Sequence, residues 1–275
     1  MAFRRVTTLC LALLLLLCCA SSACAAGFST VTYRETDAQR VVKGYDIEVG
    51  KLKNNVDGYT FINFGRYPYT AEGDIMPVTW KVLGVEEGYA FCYTAYVIDF
   101  AQYHDKKIDL VVWKDNLIYK TLNETIRAKM FTDEELDAVL YSEERGWLFY
   151  LSNFQLRKEY YGFRHWQLDP QKPRECAPTP YAMTHPEAWI DEASGNTWYF
   201  STGMPRVGFH NLIGFDGHTS TAANNRYGGV RCACYIDLSM LDNVKGSGTI
   251  DDPYSFDLVT DYTALSQETS FEVIE

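Results

Sequence analysis

The sequence predicts an α+β domain with strands at both ends, helices in the middle and a long polar loop region before the last strand. Three observations predict it. Between Tyr59 and Phe100, apolar and polar residues alternate in runs rich in aromatic and β-branched side chains, which is the period of a pleated strand. Leu117, Ile118, Leu122, Ile126 and Met130 then recur at helical spacing. Strand-like runs return at Trp198 and again at Gly229. Strands and helices are thus segregated along the chain, which points to α+β rather than to alternating βαβ units.

Taken in order, residues 1–25 read as a secretory signal peptide. Arg4 and Arg5 precede a leucine-rich run too short for a comfortable membrane span, and Ala23-Cys24-Ala25 offers the small residues of a cleavage site. A lipid anchor on Cys24 is the rival reading, although Ser21 stands where such signals carry a large aliphatic residue. The expected location is secreted, periplasmic or cell-surface. Residues 26–57 form a polar leader, 58–240 the domain, and 241–275 an acidic, turn-rich tail.

Within the domain the pattern predicts strands over 59–64, 78–85 and 89–96, the last two joined by a turn at Glu86-Glu87-Gly88. Asp115 is placed to cap the first helix. Thr132 with Glu135 makes a capping box for a second helix running to Tyr141. Glu134 and Glu135 then serve as first-turn charge favoured by the helix dipole, not as a catalytic dyad. Trp147 to Leu151 reads as a buried strand, Ser152 as the cap of a third helix reaching Tyr161, and Pro180 as the start of a short one.

Composition narrows the function. Losing the signal leaves 23 basic against 36 acidic residues, a formal charge of −13, which repels nucleic acid and anionic lipid at long range. Four cysteines fall in or beside the signal, and Cys92, Cys176, Cys232 and Cys234 remain. An even count in an exported chain points to disulfides. Cys232 and Cys234 lie two apart and face one side of a strand, so a bond between them is strained, and Cys92 and Cys176 are their candidate partners.

The polar residues concentrate in 204–228, where Arg206, His210, Asp216, His218, Asn224, Asn225 and Arg226 make up the candidate ligand-binding set. His210 and His218 flank Asp216, with no zinc-ligand spacing. Phe215-Asp216-Gly217-His218-Thr219-Ser220 offers hard oxygen ligands to calcium but falls far short of an EF-hand loop, so no resident cofactor or metal is expected. Asn224-Asn225-Arg226 suits a tight turn before the last strand or a polar patch for a sugar or peptide. No nucleophile elbow or phosphate-binding loop is present, and no catalytic residue is assigned.

Five short motifs in order carry a resemblance: Phe64-Gly65-Arg66-Tyr67-Pro68, Val78-Thr79-Trp80-Lys81-Val82-Leu83, Ala177-Pro178-Thr179-Pro180-Tyr181-Ala182, Trp198-Tyr199-Phe200-Ser201 and Gly229-Val230-Arg231-Cys232-Ala233. Over 58–240 the chain resembles the DUF6273 family, a bacterial domain of unknown function. The resemblance implies a C-type lectin-like fold shared with formylglycine-generating enzymes, with a long polar loop between the late strands. The family implies no reaction, and fold does not fix function. The chain departs from the family pattern in the fourth motif, which lacks an Arg and a Pro, and in the fifth, where Cys232 and Cys234 replace Pro and Leu. The expectation is an exported, non-enzymatic module that meets a protein or glycan through 204–228. Two other readings compete with it: a thiol- or metal-dependent modifying enzyme on the same fold, and a structural accessory protein of the cell envelope.

Overall fold

The computed structural model describes residues 59–109, 112–158, 161–163, 172–206 and 208–259. The segment expected to be a signal peptide, Cys24, the expected leader and the end of the acidic tail lie outside them. Two sheets organise the rest, and the α+β class holds.

The first sheet is antiparallel, in the order β1 (Thr60–Pro68), β2 (Ile75–Glu86), β3 (Tyr89–Thr94), β9 (Ala233–Asp237). The β2–β3 turn is Glu87-Gly88, with φ of 51° and 88°. Two left-handed residues in a two-residue loop match the strand twist, so this is the hairpin the sequence signalled. The second sheet runs β4 (Asp99–Gln102), β8 (Tyr227–Val230), β5 (Tyr199–Arg206), β6 (Phe209–Ile213), β7 (Thr219–Ala223).

Both faces of the first sheet are covered. Ile62, Trp80, Val82, Cys92, Cys234 and Ile236 point into one core, and Phe61, Leu83, Phe91, Tyr93 and Ala233 into the other. Strand periodicity sorts the side chains, and the coverage of each face decides which of them are buried.

The first helical segment packs on the first core through Ile118, Leu122, Ile126 and Met130. It runs as α1 (Leu117–Lys120), a π turn (Thr121–Ile126) and α2 (Arg127–Met130). Four residues of an α-helix turn through about 400°, so an i, i+4 stripe drifts around the helix. The wider π turn corrects the drift, and Leu117 falls off the stripe to the exposed side. The turn also seats Asn123. Its Nδ2 donates to the Tyr119 and Leu148 carbonyls at 3.2 and 3.0 Å, and its Oδ1 accepts the Trp147 and Leu148 N–H at 2.8 and 3.1 Å. Gly146 (φ 84°) passes so close to that amide that a Cβ there would lie 2.3 Å from Oδ1.

Several boundaries move. Asn116, not Asp115, caps the first helix, with its Oδ1 accepting the Tyr119 N–H at 2.8 Å. The capping box is present, with Thr132 and Glu135 each accepting the other's backbone N–H, but α3 (Asp133–Asp137) stops short of Tyr141. It stops because Val139 pairs with Ile236 at the edge of β9. Residues 148–151 are buried and Trp147 half-buried, yet the segment forms no strand: it pairs with β9 at the single bridge of Phe149 to Ala233, beside which Phe149 stacks on Tyr235. The helix after Ser152 is one 3-10 turn, Gln155–Arg157. A short 3-10 turn, Ala182–Thr184, follows Pro180. The long polar loop before the last strand is instead β6, β7 and β8: β5, β6 and β7 form a meander that ends the second sheet, and β8 crosses back to lie between β4 and β5.

The C-terminal segment packs back on the domain. β10 (Leu241–Lys245) and β11 (Ser255–Leu258) pair, and Tyr254 bridges β1 at Ile62. Phe61 and Asn63 donate N–H to Gly248 and Tyr254, and Tyr254 donates to Phe61, closing the free edge of β1.

Candidate functional site

The predicted ligand-binding set does not converge. Arg206 ends β5, and its side chain lies outside the described residues. His210 is buried in β6, stacked on Tyr103 (4.6 Å, 9°) and edge-on to Phe200 (4.9 Å). Burial lowers its pKa to about 4 against a smaller upward pull from the Ala223 backbone, so it is neutral near pH 7. Asn224 is buried and structural, bonding both the N–H and the carbonyl of Ile108. Asn225 accepts the Gln102 amide on its backbone carbonyl. Only Asp216 and His218 meet, at 3.3 Å on the exposed β6–β7 turn, where Asp216 also accepts the His218 N–H. Arg226 stays exposed at the next turn, with its N–H donating to Ala223. The sheet explains the scatter: alternate residues of β6 turn inward, Arg206 ends β5, and the remaining members of the set sit at the turns that flank β7.

All four described cysteines are buried free thiols. Cys92, Cys232 and Cys234 share the first core, and Cys176 lies in the second. Cys176 therefore stands across the sheet from the partners considered for it. Cys92 faces Cys234 across the β3–β9 ladder, a juxtaposition that sequence spacing alone does not reveal. Burial pushes the Cys232 thiol up to about 12, and burial together with Cys92 and Cys232 raises Cys234. Thiols so held stay protonated and are poor nucleophiles.

Sequence reading missed a cationic knot in the second core. Arg231 is fully buried between the faces of Tyr93 (4.2 Å) and Tyr199 (5.0 Å). Its Nε donates to the Thr94 carbonyl, and its Nη1 to the Arg174 carbonyl and the Tyr199 hydroxyl. Lys81 is only 7% exposed, with its Nζ 4.3 Å from the centre of the Tyr59 ring. Arg174 is buried as well, and its guanidinium nitrogens find no acceptor among the described residues. None of the three forms an ion pair with a carboxylate among the described residues. Tyrosine faces and carbonyl dipoles offset the Arg231 charge. Lys81 has less compensation, so burial and Arg231 lower its pKa to about 7. Two of the short motifs, Val78–Leu83 and Gly229–Ala233, contain Lys81 and Arg231, and Arg174 lies in none of them.

An open concavity lies at the other end of β1. It is shallow: its enclosed part is about 20 Å³, room for a single water, and the rest opens to solvent. Tyr67, Val78 and Ile98 form its floor, and Pro68, Tyr69, Pro77 and Tyr96 its more exposed walls. Tyr69 and Tyr96 meet edge to face at 6.3 Å, and the Tyr67 hydroxyl donates to Asp99 at 2.8 Å. Ile75 and Met76 on the adjoining end of β2 are 58% and 42% exposed.

Among the described residues no group of three or more His, Cys, Asp or Glu side chains comes together to hold a metal ion. Nor is any helix among them long and apolar enough to cross a membrane. No family model, curated protein or solved structure matches the chain.

Proposed function

We propose that the chain is an exported, non-enzymatic binding module on a C-type lectin-like, DUF6273-like framework, and that it meets its protein or glycan ligand at the Tyr67–Tyr69–Tyr96 cleft. The signal-like segment at 1–25 supports export. The cleft carries the binding reading. Its tyrosine faces and prolines offer flat apolar area at low entropic cost on an open surface, which suits a sugar ring or an extended peptide. This moves the ligand away from 204–228. A modifying enzyme acting through Cys232 and Cys234 finds no support in thiols that are buried and shifted toward the protonated form.

The test is a glycan and peptide array probed with the mature chain, repeated with Tyr69→Ala and Tyr96→Ala proteins of unchanged circular dichroism. Binding that falls at least tenfold in both variants is the expected result. Binding that survives both, yet is lost on changing Asp216 or Arg226, would return the site to the second sheet.

A further inference from the structure

We propose that the Tyr67–Tyr69–Tyr96 cleft takes an extended, basic segment of another protein, with a Lys or Arg stem laid on the tyrosines and its cationic head among Asp74, Asp99 and Asp251. This rests on the reading of the cleft as the binding site and adds the chemistry of its ligand. Depth is the first constraint. So shallow a site cannot surround a small molecule, because sites for small ligands cover most of the ligand's surface. A chain-like ligand gains area by running on past the cleft. Ile75, Met76 and Pro77, all exposed at the start of β2, continue the apolar surface beyond it.

Charge selects the kind of chain. Asp99 accepts the Tyr67 hydroxyl on Oδ2 and the Phe100 N–H on Oδ1, which fixes its carboxylate beside the floor. Asp74 is exposed on the β1–β2 turn, where its carbonyl accepts the Tyr69 N–H at 2.9 Å. Burial raises the pKa of the Tyr96 hydroxyl, and Tyr69, Cys176 and Asp251 add to it, so the exposed Asp251 stands within electrostatic reach of that ring. None of the three carboxylates forms an ion pair with a described residue. None of the residues that line the cleft is basic, and Arg66, the neighbouring cation on β1, is held by Glu135 at 3.7 Å. Carboxylates around tyrosine faces, with no cation of the chain's own between them, complement a positive group and repel an acidic one. Lys and Arg side chains match both parts of the site. Their stems cover apolar area while the head reaches past it, and a tyrosine face itself attracts the cation.

Fluorescence anisotropy with a short labelled peptide of alternating Lys and Gly, and with its counterpart carrying acetyl-lysine, tests the ligand's charge on a chain that starts at residue 26. Acetylation keeps the stem and removes the charge. The expected result is roughly tenfold tighter binding of the Lys peptide, lost in Tyr96→Ala. Asp74→Asn with Asp251→Asn should weaken it roughly fivefold. Glu143→Gln with Glu144→Gln removes the same charge from exposed positions outside the cleft and should leave it unchanged. If the Tyr96 variant fails to fold, the two aspartates decide alone. Equal binding of the two peptides overturns the proposal. So does a loss in the glutamate variant as large as that in the aspartate one, which would mark attraction to the chain's overall charge. Glycan capture on the array that both tyrosine variants abolish, with neither peptide bound, would keep the cleft as the binding site and remove only its basic ligand.

Discussion

Replacing Lys81 by Met tests the reading of the second core most directly. Met keeps the length and the apolar stem and removes the ammonium. In the folded chain burial, with Arg231 nearby, lowers the Lys81 pKa from 10.5 to about 7. At about 1.4 kcal/mol per unit, holding the charged form costs the fold about 5 kcal/mol below pH 7. The sign follows from proton counting. Between about pH 7 and 10.5 the unfolded chain keeps a proton at Lys81 that the folded chain has lost. The penalty therefore shrinks as pH rises and is gone above the unfolded value. Lys81→Met should melt roughly 10–20 °C above the parent near pH 6, with the margin narrowing by about 1.4 kcal/mol per pH unit from pH 7 upward. Tyrosines and thiols also titrate at alkaline pH, but they do so in both proteins, so the difference isolates Lys81. Thermal melts by circular dichroism across that range, checked by urea unfolding, supply the measurement. A pH-independent difference, or a less stable variant near pH 6, would refute an uncompensated buried ammonium.

Asn123→Ala should cost about 3 kcal/mol in urea unfolding, because it strands the buried N–H and carbonyl of Leu148 as well as the Trp147 N–H. A loss under about 1 kcal/mol would mean that the π turn does not depend on this amide. In a chain shortened to start at residue 26, an aromatic disulfide reagent near pH 8 should find no fast-reacting thiol while the protein is folded and four after denaturation. Release of only two would place a disulfide in the protein, with the facing pair Cys92–Cys234 as its site. A thiol that reacts within seconds in the folded state would revive the enzyme reading.

Local signals in the sequence were reliable where the determinant is local. The Glu87-Gly88 hairpin and the Thr132–Glu135 capping box need only a few consecutive residues, and both stand as read. Boundaries moved where a distant segment intervened, as when Val139 leaves its helix to pair with Ile236. The stretch 204–228 looked like a loop because glycine, asparagine and small polar residues favour turns. At a sheet edge the same residues form strands, because the ladder with β5 and β6 outweighs their weak local preference.

By itself the sequence determined which side chains share a face of each strand, since the pleat alternates with a period of two whatever surrounds it. Only the tertiary structure decided what covers those faces. Lys81, in the polar phase of β2, would meet water on a sheet with one open side. Here Tyr59, Tyr93 and Arg231 close over that side, which turns a surface lysine into a buried cation. The same coverage puts Cys176 across the sheet from the other thiols and draws His210 out of the polar set into an aromatic stack. Periodicity carries the direction of a side chain, and burial depends on segments far away in the chain that arrive to cover it.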